Sequence, residues 1–94
     1  MKNYELVMIF SPESSEEEVN QTMERVTQTV AEEGGVLNEK EGWGVRKLAH
    51  RAKGVKEGNI LSAHVSMEPR TVNKMEKSMT GAPGLVRHLL LKKN

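Results

Sequence analysis

The chain contains no cysteine, no aspartate and only three aromatic side chains, Tyr4, Phe10 and Trp43, among its 94 residues. Without cysteine there are no disulfides, no thiolate nucleophile and no thiolate-held zinc or iron–sulfur cluster, and a reducing compartment is the expected setting. Long hydrophobic runs are missing too. The longest early one, Leu6 to Phe10, is shorter than the roughly 7–15 residues of a signal-peptide core and far below the ~20 needed to span a bilayer. Structured sequence follows the first residues at once, so neither a transit peptide nor a membrane anchor is expected, and the expected location is the cytosol. With so few aromatics, the core must be built from Val, Leu, Ile and six Met, which pack adaptably but specify geometry less sharply. A chain of this length supports one core and not two, so a single domain over 1–94 is expected.

The formal net charge is +1, but the charges are divided along the chain. Residues 1–41 carry ten glutamates against Lys2, Arg25 and Lys40, a net −7; residues 42–94 carry eleven Lys and Arg against Glu57, Glu68 and Glu76, a net +8. Such a division suggests one surface toward solvent or a basic partner and another toward polyanion.

Tyr4 to Phe10 alternates with Tyr4, Leu6, Met8 and Phe10 on one face, the pattern of a half-buried strand. Ser15 with Glu18 forms a capping box before Val19, Met23, Val26 and Val30, which recur at helical spacing until Gly34-Gly35. Glu16, Glu17 and Glu18 fill the first turn, where the helix dipole favours negative charge. Val36 to about Arg51 reads as a long strand bent or bulged at Gly42-Trp43-Gly44, and Ala52 to Gly58 as a basic, glycine-bounded loop. Asn59 to Met67 alternates again, with Leu61, Ala63, Val65 and Met67 on one face and Ile60, Ser62, His64 and Ser66 on the other. Pro69 opens a second helix carrying Val72, Met75 and Met79, the turn Gly81-Ala82-Pro83-Gly84 stops it, and Leu85 to Leu91 is the last strand. The order β-α-β-β-α-β predicts an α+β, ferredoxin-like fold: a four-stranded antiparallel sheet with both helices on one face, the other face open for binding, and strands two and four at the edges.

No catalytic constellation emerges. His50, His64 and His88 lie 14 and 24 residues apart, with no second ligand at i+3 or i+4, so neither a metal site nor a cofactor is expected. Gly42-x-Gly44 lacks the third glycine of a dinucleotide fingerprint, and no nucleophile elbow is present. An enzyme with a small-molecule substrate is therefore not expected.

The basic residues fall mainly in three groups, Arg46, Lys47 and Arg51, then Lys53 and Lys56, then Arg87, Lys92 and Lys93, and these groups all lie outside the acidic helix. Cations on edge strands can protect against edge-to-edge pairing. On extended backbone near glycines they can also reach RNA phosphates and read shape rather than bases. The third strand offers Ile60, Ser62, His64 and Ser66 where an RNA-recognition motif needs aromatics, so base stacking is nearly excluded and phosphate contact and protein contact are the open options. Trp43 either packs over its own sheet or anchors a partner. Together with His50, His88 and Leu89 it is the candidate for protein contact. A competing reading, resting on the fold alone, is a dimeric regulatory or ligand-binding module.

Tyr4-Glu5 in the first strand, the segment Trp43-Gly44-Val45-Arg46-Lys47-Leu48-Ala49, Gly58 before the third strand and Val86-Arg87 in the fourth together resemble the bacterial small-subunit ribosomal protein six family over nearly the whole chain. The resemblance implies a structural constituent of the small ribosomal subunit. It would bind the central domain of the small-subunit ribosomal RNA together with ribosomal protein eighteen. By position, Lys2, Arg46, Lys47, Arg87 and Lys92 match basic residues that this family turns toward RNA or partner. The chain differs from the usual family pattern at His50 and Asn59, where tyrosine is common, and in the turn at 81–84.

Overall fold

A computed structural model describes residues 1–52 and 55–93, with side chains described for all of these except 49–52 and 55. The element order is β1 (Lys2–Phe10), α1 (Glu16–Glu32), β2 (Val36–Ala52), β3 (Val55–Met67), a 3-10 turn (Pro69–Thr71), α2 (Val72–Ser78) and β4 (Leu85–Lys93). The sheet order is β2-β3-β1-β4 with every neighbouring pair antiparallel, so β2 and β4 are the edges, as the ferredoxin-like topology requires.

Alternation in β1 decides which face is core. Leu6, Met8 and Phe10 are fully buried and Tyr4 nearly so; they pack with Val19, Met23, Val26 and Val30 of α1, Ala63, Val65 and Met67 of β3, and Met75 and Met79 from α2 and its end. Five of the six methionines sit in this core, so flexible thioethers fill the space that aromatics would take in a richer sequence. The capping box forms as expected: the Glu18 backbone N–H donates to Ser15 Oγ at 3.1 Å, and the Ser15 N–H donates to Glu18 Oε1 at 2.9 Å. Across the helix layer Lys74 Nζ reaches Glu33 Oε2 at 3.3 Å, and Arg25 donates to the Ser78 carbonyl at 3.3 Å, tying α1 to α2.

Directly paired residues of antiparallel strands share a face, so the register maps the uncovered side. Glu5, Val7 and Ile9 stand opposite His64, Ser62 and Ile60 of β3, and opposite Leu91, Leu89 and Arg87 of β4.

Three local readings change. The stretch read as a loop at 52–58 is largely ladder: β3 begins at Val55, so Lys56 lies on a strand. Gly58 is not a turn residue, because it pairs with Arg46, and a Cβ there would run into Ile9 Cγ2. Pro69 opens a 3-10 turn, closed by the Thr71 N–H donating to the Glu68 carbonyl at 2.8 Å, and the α-helix itself starts at Val72. The final strand runs two residues past Leu91, to Lys93, because β1 is long enough to pair with it as far as Asn3.

Adding a methyl at Gly58 forces a β-branched neighbour to move, so Gly58→Ala is expected to cost about 1–3 kcal/mol. Gly42→Ala, with nothing within 4 Å of the new Cβ, is expected to change stability by under about 0.5 kcal/mol. Urea unfolding midpoints at unchanged slope measure both, and equal costs would contradict the packing described.

Candidate nucleic-acid interface

β1 ends at Phe10, which pairs with Asn59, and Asn59 pairs in turn with Val45. Beyond that row β2 and β3 pair only with each other among the described residues. From Arg46 to Ala52 they form a short two-stranded ribbon whose register shifts between Lys47 and Ala52; on the β3 side it is only Val55 to Gly58, so it runs past the sheet by about 10 Å, at ~3.3 Å per residue. The segment 46–58 contains Arg46, Lys47, Arg51, Lys53 and Lys56 against the single acid Glu57. Arg46, Lys47 and Lys56 are exposed, and Lys47 stands opposite Glu57 in the ladder. The side chains of His50, Arg51 and Lys53, three of the residues singled out from the sequence, lie outside the described part.

The entry to the ribbon is irregular. Gly42 pairs with Leu61 and Gly44 with the next residue, Ile60, so Trp43 is the extra residue of a bulge. Gly44 adopts φ +77°, a conformation that costs a side chain but not glycine. Trp43 is 40% exposed, and its carbonyl accepts a hydrogen bond from Arg46 Nε at 3.0 Å, which fixes the arginine stem. The bend expected at 42–44 is thus present. A second irregularity, between Asn38 and Glu41 with Glu39 at φ +51°, had no glycine to announce it.

The remaining cations are elsewhere. Arg87 pairs with Ile9 and Lys93 with Asn3, which puts both on the open face of β4. Lys92 pairs with Tyr4 and Lys2 with Met67, which puts them on the helix side. Lys2, Lys92 and Lys93 therefore cluster at the end where β1 begins, and the ribbon extends from the other end. Of the nine residues expected to face RNA, the seven with described side chains form two groups, with Arg87 on the far edge strand, rather than one continuous patch.

The four residues expected to face a protein are divided as well. Leu89 is exposed on the open side, beside Val7 and near exposed Leu91. His88 lies on the helix side opposite Met8, and its Nε2 is 2.9 Å from Glu76 Oε2 of α2, so one ring nitrogen is engaged within the chain. Trp43 and Leu89 are on opposite edge strands, about 14 Å apart across three strand spacings. No group of three or more His, Cys, Asp or Glu able to hold a metal is present among the described residues, and no described helix is long and apolar enough to cross a membrane.

The class defined by this construction is a small ferredoxin-like α+β domain that covers one sheet face with two helices, the longer of them acidic, and projects a basic ribbon. Known proteins agree in detail. The family model described as Ribosomal protein S6 matches residues 3–92. The small ribosomal subunit protein bS6 of Desulforamulus reducens is 32% identical over 92 residues, covering 98% of this chain and 97% of the relative. The crystal structure of 30S ribosomal protein S6 from Thermotoga maritima superposes with a TM-score of 0.84 at 25% identity, covering 98% of this chain and 87% of that one. The C-terminal domain of the MgtC protein from Mycobacterium tuberculosis reaches a TM-score of 0.67 at 14% identity, over 99% of this chain and 88% of that one, a likeness of fold alone. The chain belongs to the ribosomal protein S6 family. Members of that family are structural proteins of the small ribosomal subunit, so this chain is not an enzyme, and its place is the ribosome in the cytoplasm.

The His88–Glu76 contact joins two partly exposed side chains, so truncation of either residue and of both should yield a coupling of roughly 0.2–1 kcal/mol in a double-mutant cycle. A coupling above about 2 kcal/mol in urea unfolding would show that the pair holds β4 against α2 far more strongly than its exposure allows.

Proposed function

We propose that residues 1–94 act as one ribosomal domain that binds the central domain of the small-subunit ribosomal RNA together with ribosomal protein eighteen, through phosphate and shape contacts. The observation that carries this reading is the ribbon beyond Phe10. It carries five cations against one acid, and its exposed Arg46, Lys47 and Lys56 stand on extended backbone that can follow an RNA surface. Lys2, Lys92 and Lys93 supply a second phosphate contact from the opposite end of the sheet, and Arg87 a third from the β4 edge. Two basic ends about 30 Å apart, nine residues along β3 at ~3.3 Å each, suit a folded RNA whose backbone passes the protein more than once.

Leu89 and Leu91, exposed beside Val7 on the open face, are the apolar surface available to the protein partner. His50 lies within the ribbon segment and would serve either contact. The competing reading of a dimeric regulatory module has only the fold in its favour, and the MgtC likeness illustrates how widely this fold is reused.

Affinity for a central-domain RNA fragment in the presence of the partner should fall with salt. Each of Lys47→Ala and Lys56→Ala should reduce the slope of log K against log salt by about 0.7–0.9, while Glu17→Gln leaves it unchanged. Salt-independent binding, or assembly unaffected by Arg46→Glu combined with Arg87→Glu, would overturn the phosphate reading.

A further inference from the structure

We infer that Trp43 and Arg46 form a nucleotide site on the β2 edge, in which the indole stacks on an unpaired RNA base and the guanidinium holds a neighbouring phosphate. This rests on the RNA-binding reading and deepens it, by naming a ligand class at one position of that surface.

Four observations converge. Trp43 is the only tryptophan of the chain and the bulged residue of an edge strand, so it is not confined between two neighbouring strands. At 40% exposure it leaves on the order of 100 Å² accessible, enough for one base to cover. The residues on both sides of it are glycines, and nothing lies within 4 Å of where a Cβ would stand at either. Arg46 is tied to the Trp43 carbonyl at 3.0 Å through Nε, so a cation is held at short range on the same edge while its terminal nitrogens have no partner among the described residues.

A protein hot spot would look different. Hot-spot aromatics sit at the centre of an apolar patch that excludes water. Around Trp43 the strand reads Lys40, Glu41, Gly42, Gly44, Arg46 and Lys47, with Val45 as the one exposed apolar neighbour. The apolar surface of Leu89 and Leu91 is at the other edge of the sheet. A partly exposed ring beside a positioned arginine fits a base and its phosphate, since stacking tolerates any base and needs no wide apolar surround. Base stacking is absent from the central strands, where Ile60, Ser62 and His64 stand; the single aromatic that can supply it is at the edge.

Because the indole is unique, its fluorescence reports this site alone. The full chain is titrated at low salt with hexaadenylate RNA and, separately, with a blunt twelve-base-pair RNA duplex, following tryptophan emission and the anisotropy of labelled RNA. Hexaadenylate should quench emission by half or more at saturation, and the duplex should bind without comparable quenching. Trp43→Leu should weaken hexaadenylate binding about tenfold or more while Trp43→Phe stays within about threefold of the parent. Arg46→Ala should weaken binding yet keep the quenching at saturation. Emission unchanged while both RNAs bind, or equal affinity for the Trp43→Leu chain, overturns the site and leaves the phosphate reading intact. Failure of hexaadenylate to bind at all counts against the site. Failure of the central-domain fragment to bind with the partner present removes both readings. A change in emission produced by the protein partner without RNA would assign Trp43 to the protein contact instead.

Discussion

β1 has nine residues and a neighbour on each side, whereas β2 has seventeen residues and a single neighbour. Helices can cover the sheet only where β1 supports it, since its alternating Tyr4, Leu6, Met8 and Phe10 form the floor on which α1 and α2 pack. Past Phe10 there is no floor. The β2–β3 pair continues there, with Arg46, Lys47 and Ala52 paired to Gly58, Glu57 and Val55 and no third strand beside it among the described residues. The charge of the segment 46–58 is one-sided, five cations against the single acid Glu57. The mismatch in strand length therefore separates a region selected for packing from one free to meet a polyanion.

The charge division follows the same geometry. Glu16, Glu17 and Glu18 occupy the first turn of α1, where the capping box and dipole favour them, and Glu33 at its end pairs with Lys74. These acids lie on the helix side, while Arg46, Arg87 and Lys93 are on the open side or along its edges. The acidic half of the sequence is thus largely accounted for by helix stability, and the basic half by surfaces with no core to serve. The net charge of +1 conceals both.

How much of this is legible in the sequence depends on whether a residue's role is local. The alternation of β1, the Ser15–Glu18 box and the glycines around Trp43 are local signals, and each predicts the element found. The ribbon is not legible, because the segment 52–58 shows no apolar alternation; only the pairing of Val55, Glu57 and Gly58 with β2 makes them strand. The engagement of His88 by Glu76 and the split of Lys92 from Lys93 across the sheet are consequences of register, which no single segment encodes. The sharing of edges between Trp43 and Arg46, and the distance of both from Leu89, likewise follow from the strand order.

Absence of cysteine permits a direct test of which surface faces RNA. A single cysteine at Lys56→Cys on the ribbon, or at exposed Glu17→Cys on α1, can carry a tethered iron–EDTA that cleaves nearby RNA backbone by hydroxyl radical. In reconstituted small subunits the ribbon probe should cut a discrete stretch of the central domain, and the helix probe should leave that stretch intact. Equal cutting from both positions, or cutting from the helix alone, would contradict the assignment of the basic ribbon as the RNA-facing element.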